Sequence, residues 1–243
     1  VTEIGNNAFS NNTSLEKVII RGNLLSIGDY AFYNVQNLKE INLPDSINYI
    51  GSYAFGKTGI TEIILPQNLK IINMETFCSC HNLKKVILND GLEKINGAAF
   101  QSSLIEEISF PQSLSSIADS SFRYCTNLKN IDVTHNINFV FESNMLLNKD
   151  ENKILFISNK ALTGSTFEIP NGISDFDTSI SSYSNIKTLI IPSTLKTLSA
   201  VAFPSTIENV ELNVNNPYLN VEEGIIVFDR NMKIQELNRR AQE

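Results

Sequence analysis

The hydrophobic pattern of this chain repeats with a period of 22 or 23 residues. An isoleucine or leucine is followed five residues later by phenylalanine. This pair occurs at Ile4/Phe9, Ile27/Phe32, Ile50/Phe55, Ile72/Phe77, Ile95/Phe100, Ile117/Phe122 and Leu198/Phe203. A single globular core has no reason to space its aromatic residues evenly, whereas every coil of a solenoid must fill the same interior slot. The spacing therefore predicts one elongated array of stacked coils.

A second pattern follows each phenylalanine and predicts one short strand per coil. It consists of an aliphatic residue, two polar residues, an aliphatic, a variable and a further aliphatic residue. It occurs at residues 15–20, 38–43, 60–65, 83–88, 105–110, 128–133, 186–191 and 207–212. The last three positions alternate as in a strand, and stacking neighbours about 4.8 Å apart would make a parallel sheet. Proline ends several of these strands, because it cannot donate to the ladder: Pro44, Pro66, Pro111 and Pro192.

A short apolar return segment then leads to the next isoleucine/phenylalanine pair. Glycine follows the isoleucine in the first three coils, and asparagine follows it in the next two: Gly5, Gly28, Gly51, Asn73 and Asn96. Exchange of glycine with asparagine predicts a left-handed backbone conformation at this position. The segment that carries the phenylalanine is expected to form a short helical turn or a loop on the opposite face.

The rhythm stops after Val133 and resumes at Phe167. Two apolar runs flank the polar residues 149–152 and predict a β-hairpin. The same segment recurs from Val221 with an offset of 80 residues, which pairs Asn144 with Gly224. We therefore expect one solenoid over residues 1–243, with regular coils at 1–134, an insert at 135–166, coils at 167–215 and a truncated second insert at 216–243. One coil is degenerate, because Ser181 stands where phenylalanine is expected.

Composition and charge narrow the classes of function. The net charge is -7 and the isoelectric point is about 5.0, so we expect no nucleic-acid partner, because no basic face is available to neutralise phosphates. The sequence has no run of 18 apolar residues and no signal peptide at its start, so we expect no membrane insertion of this segment. Both ends fall inside the repeat pattern, so we expect the chain to be part of a longer protein.

The residues that could carry chemistry give weak signals. Cys80 and Cys125 occupy the same slot two coils apart, about 10 Å, which is too far for a disulfide and typical of small buried residues. The run Cys78-Ser-Cys80-His81 lacks the second half of a tetrahedral metal set. The chain has two histidines and no known nucleophile, zinc or phosphate-loop motif. We therefore expect no metal, no cofactor and no enzymatic activity.

Residues 27–32 and 50–55, together with 38–44, resemble the BspA-like, or Treponema pallidum type, leucine-rich repeat. The insert also resembles a recurrent interruption of that family. The resemblance implies an α/β-type but β-rich leucine-rich repeat solenoid, a right-handed curved superhelix with its strands on the concave face and short helical turns or loops on the convex face. It also implies a cell-surface or secreted protein of a host-associated bacterium or a protist, which mediates adhesion. No catalytic residues belong to the family.

A ligand is expected on the outward-facing residues of the strands. Between the two inward aliphatic residues of each strand, this column contains Ile19, Asn42, Ile64, Ile87, Ser109, Asp132, Ile190 and Glu211. Exposed isoleucines in a row predict a protein-binding surface. Alternatively, β-branched residues simply stabilise a sheet surface. The two corresponding functions are adhesion to a host or cell-surface protein by a monomer, and a structural stalk that presents another domain.

Overall fold

The computed structural model of the protein describes residues 1–176, 185–198, 206–212, 226–228 and 234–237. Most coils contribute two short strands, which stack onto the equivalent strands of neighbouring coils in parallel. We call the strands that carry the second sequence pattern the main strands and those that precede each phenylalanine the return strands. The main strands are β2 (Lys17–Val18), β4 (Glu40–Ile41), β6 (Glu62–Ile64), β8 (Lys85–Ile87), β10 (Glu107–Ser109), β12 (Asn130–Asp132), β16 (Thr166–Glu168), β18 (Thr188–Ile191) and β20 (Asn209–Leu212).

The return strands form a second parallel stack. They are β1 (Glu3–Ile4), β3 (Ser26–Ile27), β5 (Tyr49–Ile50), β7 (Ile71–Ile72), β9 (Lys94–Ile95), β11 (Ser116–Ile117), β17 (Asp175–Phe176) and β19 (Thr197–Leu198). The expectation of one strand per coil was therefore wrong. The two-residue return segments are short, but their register is exact from coil to coil, with Ile27 opposite Ile50 and Ile72 opposite Ile95.

The phenylalanines form one continuous stack through the first six coils. Successive ring centroids from Phe9 to Phe122 lie 5.2, 5.4, 5.6, 5.5 and 5.5 Å apart, and the ring planes differ by 11° or less. Phe32, Phe55, Phe77, Phe100 and Phe122 are fully buried. Each ring thus covers the next one, as the even spacing in the sequence predicted.

The segments that carry the phenylalanines are tight turns rather than helical turns. The only helix among the described residues is the short 3₁₀ helix Asn159–Ala161. In the turns, amide groups donate to the next coil, as from Phe32 N–H to the Ala54 carbonyl at 2.8 Å and from Phe55 N–H to Thr76 at 2.9 Å. This third column of hydrogen bonds satisfies the backbone without a helix.

The glycines after the isoleucines are not in the left-handed region, which corrects the sequence expectation. The positive φ angles lie two residues further on, for example 56° at Tyr30 and 57° at Tyr53. Gly51 is required for space instead, because a Cβ there would lie 2.5 Å from the Asp29 amide nitrogen and 2.7 Å from the Gly28 carbonyl carbon of the preceding coil. Close approach of two backbones is thus the reason for glycine at this position.

We expect Gly51→Ala to lower the free energy of unfolding by about 1–3 kcal/mol, because the methyl group meets backbone that cannot move aside. Gly97→Ala is the matched control, since the nearest atom to its added Cβ is 3.7 Å away. That variant should change stability by less than about 1 kcal/mol, or increase it. Urea denaturation of both variants measures the difference, and equal losses would contradict the steric explanation.

The insert forms a three-stranded antiparallel sheet that lies inside the solenoid. Its strands are β13 (Phe139–Glu142), β14 (Met145–Asn148) and β15 (Lys153–Ile157). The β-hairpin predicted around residues 149–152 is formed by β14 and β15, and a turn with positive φ at Ser143 and Asn144 adds β13 as a third strand. β15 also pairs in parallel with β17, so the insert takes part in the return stack of the following coils.

Both faces of this sheet are buried, and we call it the septum. Leu146 and Phe156 pack into the hydrophobic core of the preceding coils. Leu147 and Ile154 pack into a second core, which belongs to the following coils. Lys153 adds an ion pair to Asp119 at 2.7 Å. The septum therefore joins two separate hydrophobic cores.

The second copy of the insert is described only at its two strands, β21 (Ile226–Phe228) and β22 (Ile234–Leu237), which pair antiparallel. In the first insert, Met145 pairs with Ile157 two pairs ahead of a register shift. In the second, Ile226 pairs with Leu237 two pairs ahead of such a shift, so Ile226 corresponds to Met145 and Leu237 to Ile157. The offset of 80 thus holds for the second strand, whereas the first strand is offset by 81. Three positions of the sequence prediction lie outside the described residues: Ser181, Phe203 and Gly224. Leu198 is described only as part of β19, without its side chain.

Candidate binding surface

The outward side chains of the main strands form a narrow surface two residues wide, which we call the main face. Its apolar row contains Ile19, Ile64 and Ile87, whose exposed fractions are 58%, 58% and 39%. Ile64 and Ile87 lie directly opposite each other in strands β6 and β8. Two isoleucines that are paired in register and remain exposed make a contiguous apolar patch.

The second row of the main face is a ladder of ion pairs. Lys17 pairs with Glu40, and Lys85 pairs with Glu62 at 2.9 Å. All four side chains are exposed, so each pair adds little to stability. The hydrogen bond and the charge of Lys17 lower the pKa of the Glu40 carboxyl. This row is therefore charged but locally neutralised.

A groove of about 590 Å³ crosses the main face over the first three coils. Ile19, Asn42 and Ile64 line it together with the ion-paired Lys17 and Glu40. The groove lies where the stack of main strands is interrupted between β4 and β6. Among the described strands, β4 pairs only with β2, and β6 belongs to the sheet of β8, β10 and β12. The structure thus brings three of the predicted site residues into one concavity, and Ile87 lies beside it.

The polar residues of the predicted site form hydrogen bonds within the chain. The Asn42 amide accepts from Ile20 N–H at 2.8 Å and donates to the Ile20 carbonyl at 3.0 Å, so this side chain links two coils. Asp132 accepts from the Thr134 hydroxyl and, at 3.3 Å, from the Ser109 hydroxyl. The Thr134 hydroxyl and amide lower the pKa of the Asp132 carboxyl.

Ile190 lies apart from the other candidates. It is half-buried on β18, in the separate sheet of β16, β18 and β20, and its strand neighbours are Glu168 and Glu211. The predicted column therefore divides into an apolar part in the first four coils, a polar part at Ser109 and Asp132, and an isolated residue beyond the septum.

A second cluster, of exposed and half-buried side chains on the return side of the coils, was not predicted from the sequence. We call it the tyrosine surface; its residues are Tyr30, Tyr33, Tyr49, Tyr53, Ile71 and Met74. The rings of Tyr30 and Tyr53 stack at 4.6 Å, and Tyr33 meets both of them edge-on at 5.4 and 6.0 Å. The available signal was the recurrence of tyrosine three residues after Ile27 and Ile50.

The three cysteines are free thiols and are buried. Cys80 donates to the Phe55 carbonyl at 3.1 Å and lies 3.4 Å from the Thr58 hydroxyl. Cys125 makes the equivalent contacts with Phe100 and Ser103. Burial raises the pKa of the Cys80 thiol to about 11 and that of the Cys125 thiol to about 12. These residues fill interior slots next to the phenylalanine stack.

Within the described ranges, no three histidine, cysteine, aspartate or glutamate side chains come together as metal ligands. No helix there has the length and hydrophobicity needed to span a membrane.

The stacked parallel strands, with almost no helix in the described residues, define a leucine-rich repeat solenoid. The chain belongs to the family of BspA type leucine-rich repeat regions, whose model of six copies matches residues 2–129, 48–165 and 151–238. The matches together cover both solenoid cores and the septum. The family that the sequence resembled is therefore confirmed.

Solved structures share the fold. A leucine-rich cell surface protein from Faecalibacterium prausnitzii is 21% identical, with a TM-score of 0.66 over 87% of this chain and 64% of that one. The pneumococcal vaccine antigen PcpA is 21% identical, with a TM-score of 0.73 over 90% and 66% of the two chains. The chain thus spans slightly less than two thirds of the length of both structures. No curated protein matches the sequence.

Proposed function

We propose that this protein is a non-enzymatic binding protein of the cell surface or the extracellular space, and that its main face holds a host protein or a protein of another cell. The observation that carries the proposal is the groove of about 590 Å³, together with the exposed isoleucines Ile19, Ile64 and Ile87. We also propose that the coils wind as a right-handed superhelix with the main strands on the concave side, since solenoids use such surfaces for binding.

The location at the cell surface rests on family membership and on the names of proteins with the same fold. The Faecalibacterium protein is described as a cell surface protein, and PcpA is described as a vaccine antigen. Both descriptions fit proteins that are exposed on cells. Neither names a ligand, so the partner of the main face has to be found by experiment.

The chemistry of the main face indicates how it would contribute to binding. The isoleucine row offers apolar area that a partner can remove from water, at roughly 25 cal/mol per Å². The ion-paired row is already neutralised by Lys17–Glu40 and Lys85–Glu62, so it would fix the orientation of a partner more than its affinity. We therefore expect an interaction that depends on the isoleucines and only weakly on salt.

The test compares the binding of fluorescently labelled protein to cultured epithelial cells by flow cytometry. The double variant Ile64→Glu/Ile87→Glu should bind on the order of tenfold less, because it places two carboxylates in the centre of the apolar row. Its fold should be retained, since both side chains already face solvent. Ile137→Glu is the matched control, because Ile137 is 74% exposed and lies outside the main face.

Cell binding that survives the double variant but not removal of another surface would refute the main face as the binding site. Absence of binding by the unchanged protein to any cell type tested would favour a stalk that presents another domain. Circular dichroism of each variant confirms that the comparison concerns folded protein.

A further inference from the structure

We propose that the tyrosine surface is a second docking site, distinct from the main face, and that it takes a basic peptide segment in which lysine or arginine recurs at every third position with apolar residues between. The surface combines exposed apolar area with carboxylates that lack a cationic partner. Tyr49, Ile71 and Met74 are exposed by 45%, 40% and 51%. Tyr49 belongs to one coil and Ile71 and Met74 belong to the next, so two neighbouring coils both expose apolar side chains on this side.

Two half-buried carboxylates flank the tyrosine rings. Asp29 accepts from the Tyr49 hydroxyl at 3.3 Å and from Ser52 N–H at 2.8 Å. Glu75 accepts from the Tyr53 hydroxyl. In the part of the chain that the structure describes, neither carboxylate forms an ion pair.

Two carboxylates in the first coils of the main face are held differently. There, Glu40 and Glu62 are each paired with a lysine of a neighbouring coil. Asp29 and Glu75 instead accept hydrogen bonds from neutral donors, which orient the carboxylates but leave their charge uncompensated. A cation from a partner would supply the missing charge.

The rings themselves favour a cation. The Lys57 ammonium already lies 5.3 Å from the centre of the Tyr33 ring, so one cation of the chain rests on this cluster. A lysine or arginine side chain is attracted to the face of a tyrosine ring, and more strongly where it is desolvated. Carboxylate and ring together thus favour a basic side chain over a neutral one.

The spacing of the two carboxylates indicates an extended segment. Asp29 and Glu75 belong to coils two apart, which places them roughly 10 Å apart at about 4.8 Å per coil. Three residues of chain in the extended polyproline II conformation rise about 9 Å, and side chains three positions apart then lie on the same side. A segment with basic residues three positions apart would therefore reach both carboxylates, while the apolar residues between them contact the tyrosine rings.

The experiment measures binding of a short labelled peptide, with arginines three positions apart and leucines between them, by fluorescence anisotropy. We expect saturable binding that weakens as salt is raised. Asp29→Asn/Glu75→Gln should weaken it about tenfold, since the amides keep the hydrogen bonds to tyrosine but lose the charge. Glu40→Gln/Glu62→Gln, the matched pair on the main face, should leave it within about twofold.

Equal affinity of a peptide with glutamine in place of arginine would overturn the proposal, because the cation would then have no role. Equal affinity of Asp29→Asn/Glu75→Gln and the unchanged protein would overturn it too. The Ile64→Glu/Ile87→Glu protein should bind the peptide normally. This result separates the tyrosine surface from the function proposed for the main face, so each proposal can fail alone.

Discussion

Phe77→Ala is expected to lower the free energy of unfolding by about 3–5 kcal/mol, a large fraction of the stability of an ordinary domain. The Phe77 ring is fully buried and stacks on Phe55 at 5.6 Å and on Phe100 at 5.5 Å. Truncation removes the apolar contacts of the ring and leaves a cavity between two coils that cannot close without shortening the stack. Urea denaturation, followed by circular dichroism, measures the loss.

Phe9→Ala is the matched control for this prediction. Phe9 makes the same stacking contact on one side only, with Phe32 at 5.2 Å, and it is 39% exposed. Its truncation should cost less than half as much as that of Phe77, because the ring gives up less buried area and leaves no enclosed cavity. Equal losses at the two positions would show that the stack does not carry stability through the interior of the solenoid.

The phenylalanine stack could be predicted from the sequence because one physical requirement recurs in every coil. Each ring fills the same slot between neighbouring rings, so its spacing in the chain repeats the spacing of the coils. The inward aliphatic residues of the main strands follow the same logic. The outward column followed from simple alternation, which is why Ile19, Ile64 and Ile87 were placed on an exposed surface correctly.

The backbone of the turns could not be predicted in the same way. The exchange of glycine with asparagine indicated a left-handed residue, but the positive φ angles fall on residues as different as Tyr30, Glu75 and Ala98. At Tyr30 and Glu75, hydrogen bonds from the backbone N–H to the adjacent coil hold this conformation and override local preference. Gly51 instead reflects the close approach of the preceding coil, which no local pattern reveals.

The candidate site was only partly accessible from sequence. Alternation shows which side chains face outward, but not whether they already have partners. Asn42 is exposed, yet both polar atoms of its amide are engaged with the backbone of Ile20. The groove depends on the interruption between β4 and β6, and the tyrosine surface depends on contacts between coils. Both features are tertiary and leave no single motif in the chain.

The septum was missed because short apolar runs predict strands without indicating how many faces are buried. A hairpin on the surface would show one apolar and one polar face. In β14, however, neighbouring residues enter different cores, with Leu146 facing the preceding coils and Leu147 the following ones. The register shift between Leu146 and Leu147 lets both Leu155 and Phe156 reach the first core. The insert therefore couples two hydrophobic cores within one solenoid.

Because Leu146 and Leu147 pack into different cores, substitutions at these two adjacent residues are expected to destabilise different parts of the solenoid. Leu146→Asp should place an unpaired carboxylate in the first core, and Leu147→Asp should place one in the second, at a cost of several kcal/mol each. Amide hydrogen exchange should therefore accelerate at Phe122 and Cys125 in the first variant. In the second variant it should accelerate at Phe167 and Leu189 instead. The substitution is chemically the same in both, so each variant is the control for the other.

Exchange that accelerates uniformly along the chain in both variants would mean that the cores unfold as one unit, with the septum a part of that unit rather than a boundary. Exchange confined to the predicted side would establish two folding units that share a single sheet. We expect exchange to be confined to the predicted side, because the contacts of the septum are divided between the cores. One core contains Leu146, Leu155 and Phe156, and the other contains Leu147, Ile154 and Ile157. Local opening free energies would then differ on the two sides of the sheet.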